Sequence, residues 1–210
     1  MSINALPALF DHVVFGIYDL QTGIDMIKER TGVEPVRGGC HPNAGTCNAL
    51  FSIGDHKYFE ILAPNPEVAV TSKGQLLSNL KNGAIVNWAA RTRDIDTVFA
   101  IMMRHEIETR GIIPGSRQTL GGDVLSWKVL PANIPDVKIF PFFIQWETTN
   151  HPAITSPQGC ELKSFKVVHE EPLKVNALFD LFELQFPTTK AADQGYSCIL
   201  HTPNGEVEFN

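Results

Sequence analysis

The sequence predicts an α+β fold of repeated βαβββ modules, with a shorter third β-α-β-β unit. Three times a short apolar strand is followed by a helix-length amphipathic stretch and then by turn-separated strands. Each helical stretch opens beside a residue suited to a helix start, Asp19, Asp94 or Pro172. With 210 residues, 43% hydrophobic and 19% charged, the chain can bury a sizeable core.

In the first unit, Asp11–Ile17 reads as a strand, and Leu20, Ile24 and Ile27 fall on one helix face before Gly32 ends the run. The second unit has a strand over Ala84–Thr92 and a helix whose buried face is Ile95, Val98, Phe99, Met102 and Met103. In the third, Leu162–Val168 is the strand and Val175, Leu178, Phe179 and Phe182 form the helix face. Two closing strands, Tyr196–His201 and Glu206–Phe209, are joined by the turn Pro203-Asn204-Gly205. The expected organisation is one domain over 1–210 with submodules 10–63, 84–147 and 160–210. The polar stretch 64–83 reads as a connector, and the irregular stretch 148–159 separates the second unit from the third.

Charge and composition exclude several classes. A net charge of -6 with no Lys/Arg cluster argues against a nucleic-acid surface. No run approaches the roughly 18 apolar residues of a membrane span, and Met1–Leu9 lacks the basic start of a leader. A soluble, cytoplasmic protein acting on a small molecule is the expectation. Cys40, Cys47, Cys160 and Cys198 have no metal-ribbon or CxxC spacing, so they read as reduced, mostly buried thiols.

Polar residues inside apolar runs mark candidate chemistry. His12 precedes Val13-Val14-Phe15, and Glu60 sits between Phe59 and Ile61. Burying either costs several kcal/mol unless it is paired, so a metal ion or polar ligand would satisfy both; a core His and a solvent-facing strand Glu is the plainer reading. His41 follows Gly38-Gly39 and is stiffened by Pro42. With His12 and Glu60 it would make two imidazoles and a carboxylate, a set suited to Fe(II), Mn(II) or Zn(II); alternatively it contacts substrate or sits in a turn. Thr46 and Asn48 offer a hydroxyl and an amide to a carbonyl or carboxylate, or merely build a turn. Trp88, Arg91, Trp127 and Gln145 read as pocket lining, together with Trp146 and with Arg117, which follows an apparent Pro-Gly turn; an inward Arg would suit a carboxylate or phosphate.

The string His41-Pro42-Asn43-Ala44-Gly45-Thr46-Cys47-Asn48 resembles an HPxxGTxN signature. It is followed by Tyr58-Phe59-Glu60-Ile61, Trp88-Ala89-Ala90-Arg91-Thr92, Pro141-Phe142-Phe143-Ile144-Gln145-Trp146, His151-Pro152 and Thr202-Pro203-Asn204-Gly205. Their order over residues 10–209 resembles the glyoxalase-like domain family of the vicinal oxygen chelate superfamily. The resemblance implies a curved mixed sheet around a cleft, and a divalent metal (Zn, Mn, Ni or Fe) that chelates vicinal substrate oxygens. It implies metal ligands at His12 and Glu60, with His41 as a candidate third, and dimerisation as a family-level expectation. Aligning the modules sets Asn87 against His12 and Gln145 against Glu60, neutral amides where partner ligands are usual. Three functions stay open: a metal-dependent lyase or isomerase acting on a small oxygenated metabolite through Glu60 and His41, a metal-free binding or sequestration protein of the bleomycin-resistance type, and a metal-free enzyme with Glu60 as general base and His12 or His41 as the acid.

Overall fold

The computed structural model describes residues 9–41, 44–118, 122, 124–148 and 150–210. Pro42 and Asn43 of the signature lie outside the described residues. The first module is β1 (Leu9–Gly16), α1 (Leu20–Thr31), β2 (Val36–His41), β3 (Thr46–Ser52) and β4 (Tyr58–Pro64), and α2 (Ser72–Ser78) lies in the connector. The second is β5 (Ala84–Arg91), α3 (Ile95–Arg104), β6 (Ile113–Gln118), β7 (Val124–Leu130) and β8 (Phe142–Trp146), followed by the short α4 (Pro152–Thr155). The third is β9 (Glu161–His169), α5 (Pro172–Asp180), β10 (Thr188–Lys190), β11 (Gly195–Thr202) and β12 (Gly205–Phe209). Asp19 and Asp94 cap α1 and α3 as expected, their carboxylates accepting from the backbone N–H groups of Thr22 and Thr97. Gly32 ends α1 with φ 77°, a left-handed conformation that glycine adopts freely.

The first two modules share one eight-stranded sheet in the order β2-β3-β4-β1-β5-β8-β7-β6. β1 is its hinge line, parallel to β4 and antiparallel to β5. The sheet curls until its two edge strands approach: the Arg117 guanidinium on β6 donates Nη1–H to the Gly38 carbonyl on β2. The third unit is more than a reduced module. It adds the strand β10 and forms its own four-stranded sheet, β10-β9-β11-β12, in which β10 runs parallel to β9. Phe165, Val167, Phe179 and Phe209 from that unit join Phe10, Phe15, Phe51, Phe59 and Trp88 in the main core on the convex face.

Strand alternation divides the side chains of the large sheet between the convex core and the concave interior. Val13, Phe15, Phe51, Phe59 and Ile61 belong to the core, which leaves His12, Val14, Tyr58, Glu60 and Leu62 for the interior. Both ends of that interior are filled. Leu77 of α2 packs on Val14 and Leu62, with Leu80, Val86 and Phe142 around it. At the other end of β4, Ala153 of α4 packs on Leu50 and Tyr58 beside Trp146. The connector and the irregular stretch are therefore plugs, and Glu60 lies between them on β4.

The cysteine reading is corrected. Cys40 and Cys47 form a disulfide, because the register of β2 and β3 sets them directly opposite each other. A residue separation of seven hides this in the sequence, since only the hairpin register brings the two together. Cys160 and Cys198 are free and buried, as expected. Such a bond does not persist in a reducing cytosol as a rule. Among the described residues no helix is long and apolar enough to cross a membrane. A short disulfide loop restricts the unfolded chain, so Cys47→Ser should lower unfolding free energy by about 2 kcal/mol in denaturant titrations. Thiol titration of the unfolded, unreduced protein should find only Cys160 and Cys198.

Candidate active site

The site begins with an irregularity in β1. Phe10 pairs with Ala90 and His12 with Ala89, so Asp11 is the extra residue of a β-bulge. Without it, Phe10 and His12 would share a face. With it, Phe10 enters the core while His12 turns to the interior. Asp11 is fully buried, and its carboxylate collects three N–H donors: His12 Nδ1 at 2.7 Å, His151 Nε2 at 3.1 Å and Trp146 Nε1 at 3.1 Å. Arg91 Nη1 lies 3.8 Å away, half-buried and donating to the His56 carbonyl.

This network dictates its own protonation. The backbone N–H of Ala153 donates to His151 Nδ1, so the ring proton sits on Nε2, where it meets Asp11. Burial opposes ionisation of Asp11, but the hydrogen bonds from His12 and His151 overcome it and hold the carboxyl well below the usual range. Burial likewise pushes His151 down, against the pull of Asp11. An ionised Asp11 only accepts, so it is Nδ1 of His12 that donates to it, and Nε2 is the ring nitrogen turned to the interior.

Nε2 of His12 faces Glu60 Oε2 across 3.9 Å. The imidazole is pinned from its flat side by Tyr58, stacked at 4.3 Å, and from its edge by Phe142 at 5.4 Å. Glu60 Oε1 accepts from Asn48 Nδ2 at 2.6 Å. Exposures of 2%, 4% and 8% for His12, Asn48 and Glu60 make these true interior polar groups. Asn48 Oδ1 is buried without a hydrogen-bond partner among the described residues, a state that costs about 1–3 kcal/mol. Farther along the wall, His41 Nδ1 and Thr46 Oγ1 are 3.3 Å apart, and the His41 ring meets Trp127 edge-on at 6.3 Å. Burial lowers the His41 pKa despite the opposing charge of Glu60, with Lys73 and Arg117 reinforcing the fall, so the ring is neutral at physiological pH. Arg117 is also lowered by burial, opposed by Tyr58 and Glu60, which places its charge in the same interior.

Of the residues singled out in the sequence, His12, Glu60, His41, Thr46, Asn48, Trp127 and Arg117 come together here, with Arg91 at the Asp11 end. Two do not. Trp88 is fully buried in the convex core, its indole N–H donating to the Ile139 carbonyl and its ring against Phe10, Phe165 and Phe186. Gln145 points at α3, where Oε1 accepts from the Ile95 backbone N–H. Both errors are one-residue errors of face: the neighbours Ala89 and Trp146 lie on the interior side, and a single step along a strand reverses the side chain. Arg117 follows no turn, because Pro114 and Gly115 are within β6. Gly115 leaves room for Trp127, whose Nε1 lies 2.5 Å from where a side-chain carbon would stand. The structure adds Asp11 and His151 to the candidate site. The adjacency Asp11-His12 is a local signal, and His151-Pro152 stands among the family strings, but nothing in the sequence ties His151 to Asp11, 140 residues away.

The donors test the metal that the resemblance implies. His12 Nε2 and Glu60 Oε2 converge, and an Nδ1-bonded carboxylate is the usual support for a ligating imidazole. Yet among the described residues no three His, Cys, Asp or Glu side chains gather at ligand spacing, so His41 does not complete a triad with this pair. Asn87, the counterpart expected opposite His12, uses Oδ1 to accept from the Trp88 N–H. The residues offer two donors where protein-held metal centres use three or four, and they do not fit a complete centre.

Two βαβββ modules joined edge to edge around a polar interior define the vicinal oxygen chelate class of fold. The chain belongs to the glyoxalase-like domain family, whose model matches residues 10–181, and so falls in that superfamily. Solved structures agree in fold. A hypothetical protein from Staphylococcus aureus is 20% identical, with 96% of this chain and 84% of that one covered at a TM-score of 0.64. A methylmalonyl-CoA epimerase variant from Streptomyces coelicolor, in complex with 2-nitronate-propionyl-CoA, is 16% identical over 68% of this chain and 100% of that one, TM-score 0.50. A hypothetical protein from Bacillus halodurans C-125 is 14% identical, covering 68% and 96%, TM-score 0.50. No curated protein matches the sequence.

Asp11→Asn should therefore cost about 3 kcal/mol at neutral pH, since it strands buried donors. A depressed carboxyl pKa stabilises the fold above the ordinary value of 3.8 and loses that contribution as pH falls below it. The gap in unfolding free energy between wild type and Asp11→Asn should be present at neutral pH and narrow under strong acid, well below pH 3.8; no gap at neutral pH contradicts the assignment.

Proposed function

We propose that this protein is an enzyme of the lyase or isomerase type that transfers a proton on a small oxygenated metabolite held in the interior of the large sheet. The observation that carries this reading is the fixed orientation of the His12 ring, held by Asp11 at Nδ1 so that Nε2 faces Glu60 Oε2 across 3.9 Å. That gap is too long for a hydrogen bond between the two. A substrate C–H or O–H beside a carbonyl would give its proton to Nε2, and the charge formed on the imidazole would be stabilised by Asp11. Glu60, steadied by Asn48, stands on the other side of the gap to exchange a proton with the neighbouring substrate atom. His41, neutral and next to Thr46, would offer a hydrogen bond to a substrate oxygen, and Trp127 an apolar wall.

His12 Nε2 and Glu60 Oε2 are two donors, short of a divalent-metal centre, and the proton transfer proposed here takes no step through an ion. The donor set argues for a weak hold. Dialysis against EDTA should leave the melting temperature unchanged, and Mn(II), Ni(II) or Zn(II) should raise it only when in excess.

The test of function is deuterium incorporation from D2O, followed by NMR, into a panel of small hydroxy- and oxo-compounds. Wild-type protein should exchange a hydrogen next to the carbonyl of at least one member. His12→Asn and Glu60→Gln should each slow that exchange by about 100-fold or more. Unchanged exchange in His12→Asn would overturn the mechanism. Binding without exchange anywhere on the panel would favour the sequestration protein.

A further inference from the structure

The wall beside Glu60 carries two groups that proton transfer leaves unused, and both stand on Gly38. Asn48 spends its amide N–H on Glu60, while its Oδ1 is buried and accepts nothing among the described residues. That oxygen is lodged 2.5 Å from where a side chain on Gly38 would begin, so the bare backbone of β2 is what admits it. Arg117 arrives from the opposite edge of the sheet and donates one guanidinium N–H to the Gly38 carbonyl. It makes no ion pair with any described carboxylate. A half-buried guanidinium and a buried amide oxygen, each with bonding capacity left over, ask for complementary groups: an anion with parallel acceptor oxygens, and a donor hydroxyl.

Resting on the reading of the cleft given above, we propose that Arg117 and Asn48 form a recognition subsite for a hydroxycarboxylate. The carboxylate pairs with the free edge of the Arg117 guanidinium. The hydroxyl donates to Asn48 Oδ1, on the amide that holds Glu60, which brings the hydroxyl-bearing carbon beside the Glu60 carboxylate.

Isothermal titration calorimetry with lactate, propionate and lactamide separates the two contacts, since propionate lacks the hydroxyl and lactamide the charge. Lactate should bind wild-type protein about tenfold or more tightly than either. Arg117→Met should abolish the preference for lactate over lactamide, and Arg117→Lys should restore it only in part because it lacks the fork. Melting temperatures of both variants report whether the fold survives. Equal binding of lactate and lactamide, a lactate preference that survives Arg117→Met in a folded protein, or no lactate binding at millimolar concentration overturns the subsite. His12→Asn keeps this wall intact and should retain the preference. In wild-type protein, a lactate preference with no deuterium exchange on any member of the panel sinks the proton-transfer reading alone. Exchange confined to neutral carbonyls, with no preference, sinks the subsite alone.

Discussion

A single buried carboxylate organises the interior of this protein. Asp11 is placed by a bulge in the strand that joins the two modules, and it draws one N–H donor from its own strand, one from β8 and one from the segment after β8. Each donor would be costly to bury alone, and so would the carboxylate. Together they form a network in which the ring nitrogens that face Asp11 are set by their neighbours. The orientation of His12, the seat of α4 and the stacking of Tyr58 and Trp146 around His151 depend on that arrangement.

How far the sequence discloses such a molecule depends on the range of the interaction involved. Helix ends were legible because capping is local: Asp19 and Asp94 reach only three residues along the chain. The burial of His12 and Glu60 was legible because each interrupts an apolar strand. Which face a strand residue occupies was less so. The period of two is strict, but its phase is set by pairing and by bulges, and a shift of one residue moved Trp88 and Gln145 out of the interior.

Contacts made by the register of distant segments left no trace in spacing. The disulfide arises from hairpin alignment, and His151 reaches Asp11 only because its segment folds back into the mouth of the curled sheet. The stretch from Thr148 to Gly159 looks like a linker by composition, yet it carries a buried histidine and packs on Leu50 and Tyr58. Its polarity serves the interior network, which composition alone reads as solvent exposure.

The third unit also has a temporal meaning. β12 and the residues flanking it are tied to α1 and β5: Arg30 donates to the Glu208 carbonyl, Asn204 to the Glu29 carbonyl, and the Ile85 N–H to the Asn210 carbonyl. Phe209 packs against Phe15 and Phe59 on the convex face. As the chain is made, those aromatic surfaces of the first module stay uncovered until the last strand leaves the ribosome. Non-local contacts of this kind slow folding and lengthen the time spent with apolar surface open to neighbouring chains. The first module thus completes its aromatic packing only once β12 has been made.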